Sequence, residues 1–203
     1  MVPIMQLQTY ITLPNMLTLT RLIVSPLLLP MLIVYLLPYD HIAINVCLVL
    51  LFFAFSFTDF LDGYFARKYH LTSKLGGSLD HIADKFLTYS TFIALLTIGK
   101  IYFFWVIIFI GRDFFVMGLR QIALENNFSL PVDYAGKIKT TLQMLLISWL
   151  IARPFTLSGI YATHMYYGQQ VLLILTLLVT LASCYNYYLS CAKQLELRSI
   201  ETR

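Results

Sequence analysis

The chain has 203 residues, of which 59% are hydrophobic and only 12% are charged, whereas soluble domains carry about 25% charged residues. Its 14 Lys and Arg residues and 10 Asp and Glu residues give a formal net charge of +4 without a long basic run, so nucleic-acid binding is not expected. With a mean hydropathy of +0.77, this composition predicts a membrane protein and excludes an ordinary soluble domain.

Six stretches are long and apolar enough to cross a bilayer, which takes about 20 helical residues. The predicted spans cover residues 17–38, 42–66, 77–98, 101–124, 134–153 and 168–192, with short polar or Gly/Pro-marked connections. The amphipathic segment "TYITLPNMLT" is expected to lie along the membrane interface before the first span. We therefore expect an all-α integral membrane protein with six transmembrane helices and an N-terminal interfacial segment, forming a single domain over residues 1–203.

The distribution of Lys and Arg predicts how the helices are oriented. One side of the membrane carries only Lys100 and Arg153, whereas the other carries Arg67, Lys68, Lys74, Arg120, Lys137, Lys139, Lys193, Arg198 and Arg203. Because cytoplasmic loops are enriched in these residues, the connections after the second and fourth spans, and both termini, are expected to face the cytoplasm. The expected location is a bacterial cytoplasmic membrane.

Four aspartates interrupt some of the most apolar sequence in the chain. Asp59 and Asp62 end the second span, and Asp80 and Asp84 begin the third. Spacings of three and four put each pair on one helix face, and the short connection makes the two helices neighbours, so the four carboxylates can converge. Four converging carboxylates repel one another unless a cation lies among them. Mg²⁺ and Mn²⁺ prefer such oxygen ligands and bind substrate phosphates as well.

Two such ions about 4 Å apart could hold a diphosphate and assist an in-line displacement at phosphorus. Arg67 can pair with phosphate oxygens, and small residues nearby leave room for a substrate, namely Gly63, Ala66, Gly76 and Gly77. Two alternatives remain open for the aspartates. They could be solvated charges at helix ends, or they could line the ion or proton pathway of a small transporter.

The stretch from Asp59 to Asp84 resembles the signature of the CDP-alcohol phosphotransferase superfamily. The match holds at every fixed position of that signature, which here are Asp59, Asp62, Gly63, Ala66, Arg67, Gly76, Asp80 and Asp84. The resemblance implies a six-helix membrane enzyme, commonly homodimeric, that transfers a substituted phosphate from a CDP-linked donor to an alcohol and releases CMP. It also implies that Asp59, Asp62 and Asp80 bind the metal ions. Asp84 would be the general base and could also coordinate the second ion.

Three further motifs resemble the phosphatidylglycerophosphate synthase subfamily: "PNMLTLTR", "GRDFFVMGLR" and "GKIKTTLQM". This resemblance implies CDP-diacylglycerol as the donor, with its acyl chains in the bilayer, and sn-glycerol 3-phosphate as the acceptor. The chain departs from the subfamily at His81, which is usually Pro, and at Asp113, which is usually Glu. Cardiolipin synthases of the same superfamily carry a similar Arg-Asp, so phosphatidylglycerol is the alternative acceptor.

Four cations follow the aspartate signature. Arg112 and Arg120 are separated by about 80° around a helix, so both can face one cavity, while Lys137 and Lys139 lie at the start of the fifth span. Cations around one pocket suit an acceptor that carries its own phosphate. For the two lysines, the alternative is the usual excess of positive charge on the cytoplasmic side. Arg112, well inside a span, needs a partner.

Two further segments give less specific predictions. Asn15 and Thr18 could cap the first helix or could contact the nucleotide of the donor. The stretch "SCYNYYL" near the C-terminus is expected to form part of an aromatic belt at the membrane interface.

Overall fold

The computed structural model describes the backbone of residues 13–68, 74–126, 128–130, 134–154 and 160–201. It describes side chains for residue 24 and for residues 26–57, 85–126, 128–130, 134–154 and 160–198. Within this part of the chain the structure is all-helical, which confirms the predicted fold class at that level. The six helices are α1 Leu13–Leu36, α2 Ile42–Lys68, α3 Lys74–Thr97, α4 Phe103–Glu125, α5 Tyr134–Ala152 and α6 Ile160–Glu201, with a 3-10 turn Leu37–Tyr39 after α1.

The last helix differs most from its predicted span. It runs for 42 residues and begins at Ile160, although residues up to 167 were expected to form a connection. Gly168, where the sixth span was predicted to start, lies inside the helix, and the edge of the Trp149 ring occupies the place of a side chain there. A Cβ at Gly168 would lie 2.8 Å from Trp149 Cζ2. The glycine therefore permits close packing of α5 against α6 instead of ending the helix.

The first helix also begins earlier than predicted. Residues 13–18 of the expected interfacial segment form the first turns of α1, while residues 9–12 lie outside the described residues. Pro26 and Pro30 both lie inside α1, which runs without interruption to Leu36.

The chain forms two compact units. The first comprises residues 1–100 and 151–156, and the second comprises residues 101–150 and 157–203. The expectation of a single domain over residues 1–203 stays a prediction. In the first unit α1 packs against both α2 and α3, and α2 contacts α3. Its core is built from fully buried apolar side chains, among them Leu29, Ile33, Phe52, Phe92 and Leu95.

In the second unit α4 packs against α6, and the inward face of α6 is largely polar. Its buried residues recur every three or four positions, namely Gln169, Leu173, Thr176, Thr180, Ser183, Tyr187 and Cys191. Its outward face carries large apolar residues such as Val171 and Leu178, which are 66% and 58% exposed. This pattern is the reverse of a water-soluble helix and is typical of one whose outer face meets lipid.

Among the described side chains, one helix is long and apolar enough to cross a membrane, over Ile160–Arg198. Two shorter apolar stretches, Pro26–Tyr39 and Ile42–Phe57, lie in α1 with its following turn and in α2. The prediction of six spans is therefore confirmed for the presence of six helices in the described part of the chain, and membrane crossing by each of them stays a prediction.

A glycine-dependent turn ends α3 and positions Lys100. Gly99 has a φ of +73°, and its N–H donates to Leu96 O, while the N–H of Lys100 donates to Leu95 O. This pair of bonds is the Schellman arrangement, which favours glycine at the left-handed position. The turn buries Lys100, which is 2% exposed and whose Nζ donates a hydrogen bond to the carbonyl oxygen of Arg153.

The stability of the first unit is expected to rise with pH because of Lys100. Burial, and secondly the positive charge of Arg153, lower the pKa of Lys100 from 10.5 to about 8, against the opposing effect of Asp40. Between about pH 8 and pH 10.5 the unfolded chain holds this proton while the folded protein releases it, so stability increases with pH across that window. Thermal unfolding in detergent, followed against pH, measures the slope.

Lys100→Met is expected to remove this rise, because the variant has no proton to release. Lys137→Met is the matched control, because it removes an exposed lysine of the second unit and should keep the slope of the unaltered protein. Equal slopes for Lys100→Met and the unaltered protein would contradict the assignment.

Candidate active site

The four aspartates lie on two helices of the first unit that contact each other. Asp59 and Asp62 are in the second half of α2, and Asp80 and Asp84 are in the first half of α3. Both backbones are helical there, so the spacings of three and four put each pair on one helix face, as predicted. Their side chains lie outside those that the structure describes, so the convergence of the four carboxylates stays a prediction. Among the described side chains, no group of three or more His, Cys, Asp or Glu residues could hold a metal ion.

The residues predicted to contact the donor also lie on helices of the first unit. Asn15 and Thr18 are inside α1, which is described from Leu13. The others are Gly63, Ala66 and Arg67 in α2 and Gly76 in α3. The side chains of all six lie outside the described ones, and their contacts with the donor stay predictions.

The second unit contains a buried ion pair between α4 and α5. Lys139 Nζ lies 2.5 Å from Asp113 Oδ1 and 2.6 Å from Oδ2, and the two side chains are 1% and 3% exposed. Arg112 Nη1 lies 2.9 Å from the same Oδ1. One carboxylate is thus shared by two cations, which satisfies charges that would be costly to bury alone.

Two hydroxyl groups on α6 accept hydrogen bonds from the two arginines of α4. Arg112 Nη2 donates to Ser183 Oγ at 2.5 Å, and Arg120 Nη2 donates to Tyr187 Oη at 2.9 Å. The Tyr187 ring also lies beside both guanidinium groups, with its centroid 5.8 Å from Arg112 Cζ and 5.2 Å from Arg120 Cζ. These contacts place Arg112 and Arg120 in one cluster. The sequence predicted that both could face one cavity.

The two lysines of α5 differ in their surroundings. Lys139 is buried against Asp113, whereas Lys137 is exposed. The start of α5 passes close to the hydroxyl groups of α6 at Gly136, where a Cβ would be in ordinary van der Waals contact, 3.7 Å from both Ser183 Oγ and Tyr187 Oη. The structure therefore joins Arg112, Arg120 and Lys139 in one cluster and leaves Lys137 at the surface of the same helix.

This cluster has an excess of positive charge and unused hydrogen-bond donors. Arg112 and Lys139 pair with the carboxylate of Asp113, and Arg120 joins the cluster through Tyr187, so the four charged groups sum to +2. The Nε atoms of Arg112 and Arg120 are buried and have no hydrogen-bond partner among the described residues. Buried guanidinium donors with a net positive charge suit a phosphate oxyanion.

Sequence reasoning missed Ser183 and Tyr187. The prediction that "SCYNYYL" is an aromatic belt is wrong for Tyr187, which is 3% exposed, while Tyr185 and Tyr188 are 62% and 51% exposed. The spacing of three or four between small polar residues of α6 was the available signal, because it traces the inward face on which both hydroxyl groups lie.

Comparison with known proteins decides the family. The family model of CDP-alcohol phosphatidyltransferases matches residues 11–182. This chain belongs to the CDP-alcohol phosphatidyltransferase family. A protein of Rickettsia felis named CDP-diacylglycerol–glycerol-3-phosphate 3-phosphatidyltransferase is 34% identical over 181 residues, which cover 89% of this chain and 96% of that protein.

Proteins of the same name in other bacteria are similar to this CDP-alcohol phosphatidyltransferase as well. The Bacillus subtilis protein is 34% identical over 157 residues, covering 71% of this chain and 80% of its own length. The Salmonella choleraesuis protein is 32% identical over 148 residues, covering 70% and 77% respectively. The resemblance noted from the aspartate signature is thus confirmed at the level of the family.

The Asp113–Lys139 pair is expected to stabilise the packing of α4 on α5. Asp113→Asn should lower the free energy of unfolding by about 3–5 kcal/mol, because it removes the carboxylate that pairs with the buried Lys139. Lys139→Met should lower it by less, because Asp113 keeps its ion pair with Arg112. The double variant should lose less than the sum of the two, because the two residues contact each other directly. Thermal or denaturant unfolding in detergent measures these effects.

Lys137→Met is the matched control for these variants, because Lys137 is two residues away on the same helix and is exposed. A surface substitution of this kind changes stability by about 0.5 kcal/mol or less. Additive losses in the double variant would contradict a direct interaction between Asp113 and Lys139.

Proposed function

We propose that this protein transfers the phosphatidyl group of CDP-diacylglycerol to sn-glycerol 3-phosphate, giving phosphatidylglycerophosphate and CMP. The observation that carries this proposal is the identity of 34% to a protein named for that reaction, over 89% of this chain and 96% of the relative. The family model over residues 11–182 supports the general chemistry, since it describes phosphatidyl transfer from a CDP-linked alcohol.

On the donor side, we assign the chemistry to the aspartates of α2 and α3. Asp59, Asp62 and Asp80, with Asp84 as a further ligand, would hold two divalent ions, Mg²⁺ or Mn²⁺. A set of carboxylates on the faces of two contacting helices fits these ions, which prefer oxygen ligands. When bound, the ions would neutralise the diphosphate and stabilise CMP as the leaving group.

The proton and bond changes follow from the reaction itself. The 1-hydroxyl oxygen of glycerol 3-phosphate forms a bond to the phosphatidyl phosphorus, and the bond from that phosphorus to the bridging oxygen of CMP breaks. Asp84 accepts the proton of the attacking hydroxyl as the general base. Asn15, Thr18, Gly63, Ala66, Arg67 and Gly76 are assigned to the donor, with Arg67 pairing with phosphate oxygens.

On the acceptor side, we assign phosphate binding to the cations of the second unit. A phosphate monoester carries about two negative charges near neutral pH, which complements the sum of +2 over Arg112, Arg120, Lys139 and Asp113. Arg112 and Arg120 have buried Nε–H donors without partners among the described residues, so they provide the direct contacts. Lys139 contributes charge while bound to Asp113, and Lys137 contributes from the surface of α5.

The protein is further proposed to span a bacterial cytoplasmic membrane six times, as a homodimer, with the reaction on the cytoplasmic side. Support comes from the apolar outer face of α6, from its polar inner face, and from the distribution of Lys and Arg between the connections. In this arrangement the acyl chains of the donor stay in the bilayer while its cytidine diphosphate reaches the aspartates.

CMP release by the purified protein tests the proposal. With CDP-diacylglycerol and Mg²⁺ or Mn²⁺, release is expected with glycerol 3-phosphate and not with phosphatidylglycerol or serine, because neither of these carries a phosphate monoester for the cation cluster. Inositol 1-phosphate carries one, but it is not expected to replace glycerol 3-phosphate, for which the relatives are named. Release with phosphatidylglycerol instead would reassign the protein to cardiolipin synthesis. The absence of CMP release with all four, in folded protein, would favour the transporter alternative.

Asp84→Asn serves as the variant control in the same assay. It removes the base while keeping the size of the side chain, so CMP release should fall by a factor of about 100 to 10,000 while CDP-diacylglycerol still binds. Full activity in Asp84→Asn would contradict the assignment of the base without affecting the assignment of the acceptor.

A further inference from the structure

Tyr187 lies between the two guanidinium groups of the cation cluster. It is 3% exposed, on the inward face of α6, among the buried side chains of Val116, Leu119 and Cys191. Its neighbours Tyr185 and Tyr188 point outward and are largely exposed. Among these three tyrosines, the contacts of Tyr187 with α4 set it apart.

The ring and the hydroxyl group of Tyr187 have separate effects on the arginines. The ring centroid lies 5.8 Å from Arg112 Cζ and 5.2 Å from Arg120 Cζ, within the range at which an aromatic face attracts a guanidinium group. The ring thereby offsets part of the repulsion between two like charges. The hydroxyl oxygen accepts a hydrogen bond of 2.9 Å from Arg120 Nη2, which restricts the rotation of that guanidinium group.

The hydrogen-bond partner of Arg120 is a neutral hydroxyl group, so the positive charge of Arg120 remains available to a ligand. Lys139 is paired with a carboxylate at 2.5 Å, whereas the partner seen for Arg120 is the phenolic oxygen of Tyr187. A hydroxyl partner orients a guanidinium group without neutralising it. The Nε–H of Arg120, buried and without a partner among the described residues, therefore remains available to an anion.

We propose that Tyr187 is a positioning residue for recognition of the acceptor's phosphate, acting through Arg120 and through the spacing of Arg120 from Arg112. This inference rests on the proposed function, because it assumes that the acceptor is a phosphate monoester. Ser183, one helical turn before Tyr187, has the corresponding effect on Arg112, since its Oγ lies 2.5 Å from Arg112 Nη2.

Tyr187→Phe tests the role of the hydroxyl group while keeping the ring. The KM for glycerol 3-phosphate is expected to rise about tenfold, the size of effect that follows the loss of a hydrogen bond to a charged group. The kcat and the KM for CDP-diacylglycerol should change by less than about twofold. Steady-state CMP release, with each substrate varied in turn, measures the three constants.

A second readout measures phosphate binding without turnover. Inorganic phosphate should raise the thermal unfolding midpoint of the unaltered protein in detergent, and Tyr187→Phe should lose most of this rise. Tyr188→Phe is the matched control, because it removes the same hydroxyl group from an exposed tyrosine one residue along α6, and it should behave as the unaltered protein in both assays. Ser183→Ala is the second variant, for use if Tyr187→Phe fails to fold. It should raise the KM for glycerol 3-phosphate through its effect on Arg112.

The outcomes separate this inference from the proposed function. In folded Tyr187→Phe, an unchanged KM for glycerol 3-phosphate would overturn the positioning role while leaving the reaction intact. A lower kcat together with higher KM values for both substrates would overturn it as well. If the unaltered protein releases no CMP with glycerol 3-phosphate, the proposed function fails. In that case a loss of phosphate protection in Tyr187→Phe still supports an anion-positioning role, and equal protection overturns it.

Discussion

The shared carboxylate of Asp113 is the interaction on which the second unit depends. Asp113 is 3% exposed and lies within 2.9 Å of Arg112 and 2.5 Å of Lys139, so it joins two residues of α4 to one of α5. An uncompensated charge in such surroundings would cost several kcal/mol. The inward face of α6 is largely polar while its outward face carries large apolar residues, so apolar burial alone does not fix which face of α6 meets α4. Polar contacts from α4 to α5 and α6 supply that specificity.

The cations of the cluster have different partners and therefore different roles. Lys139 is matched by a carboxylate, whereas Arg120 is matched by the phenol of Tyr187, and Arg112 is matched by both Asp113 and Ser183. Among the described side chains, Asp113 is the carboxylate that pairs with these cations, and Arg112, Arg120, Lys139 and Asp113 together sum to +2. An anionic acceptor would complete the cluster, since two buried Nε–H groups have no partner among the described residues. The same contacts thus account for both the packing of the unit and the proposed preference for a phosphorylated acceptor.

Much of this arrangement follows from the sequence, for definable reasons. Long apolar runs with short polar connections predicted all six helices, because a helix in an apolar environment needs length and composition more than specific partners. The interval between Arg112 and Arg120 predicted a common face, because helical periodicity is regular. Family membership could be predicted from the aspartates for the same reason. Residues that share a helix face lie three or four positions apart, and this spacing can be counted along the sequence.

What the sequence did not predict depends on contacts between distant segments. Tyr187 resembles Tyr185 and Tyr188 in type and neighbourhood, and only the packing of α6 on α4 buries it. Asp113 was noted for its departure from a subfamily pattern, whereas its pairing with Lys139 spans 26 positions of the chain. The close packing at Gly168 was not predictable, because the Trp149 ring that packs against it belongs to another helix.

Equilibrium binding of glycerol 3-phosphate, without the donor, tests the central claim most directly. Arg120→Gln is the informative variant, because it removes one guanidinium group while leaving the Asp113 pairs in place. The account predicts that the unaltered protein binds glycerol 3-phosphate and that Arg120→Gln binds it at least about tenfold more weakly, with the same CDP-diacylglycerol affinity. Equal affinity of both proteins for glycerol 3-phosphate would contradict the claim that the arginines of α4 recognise the acceptor's phosphate.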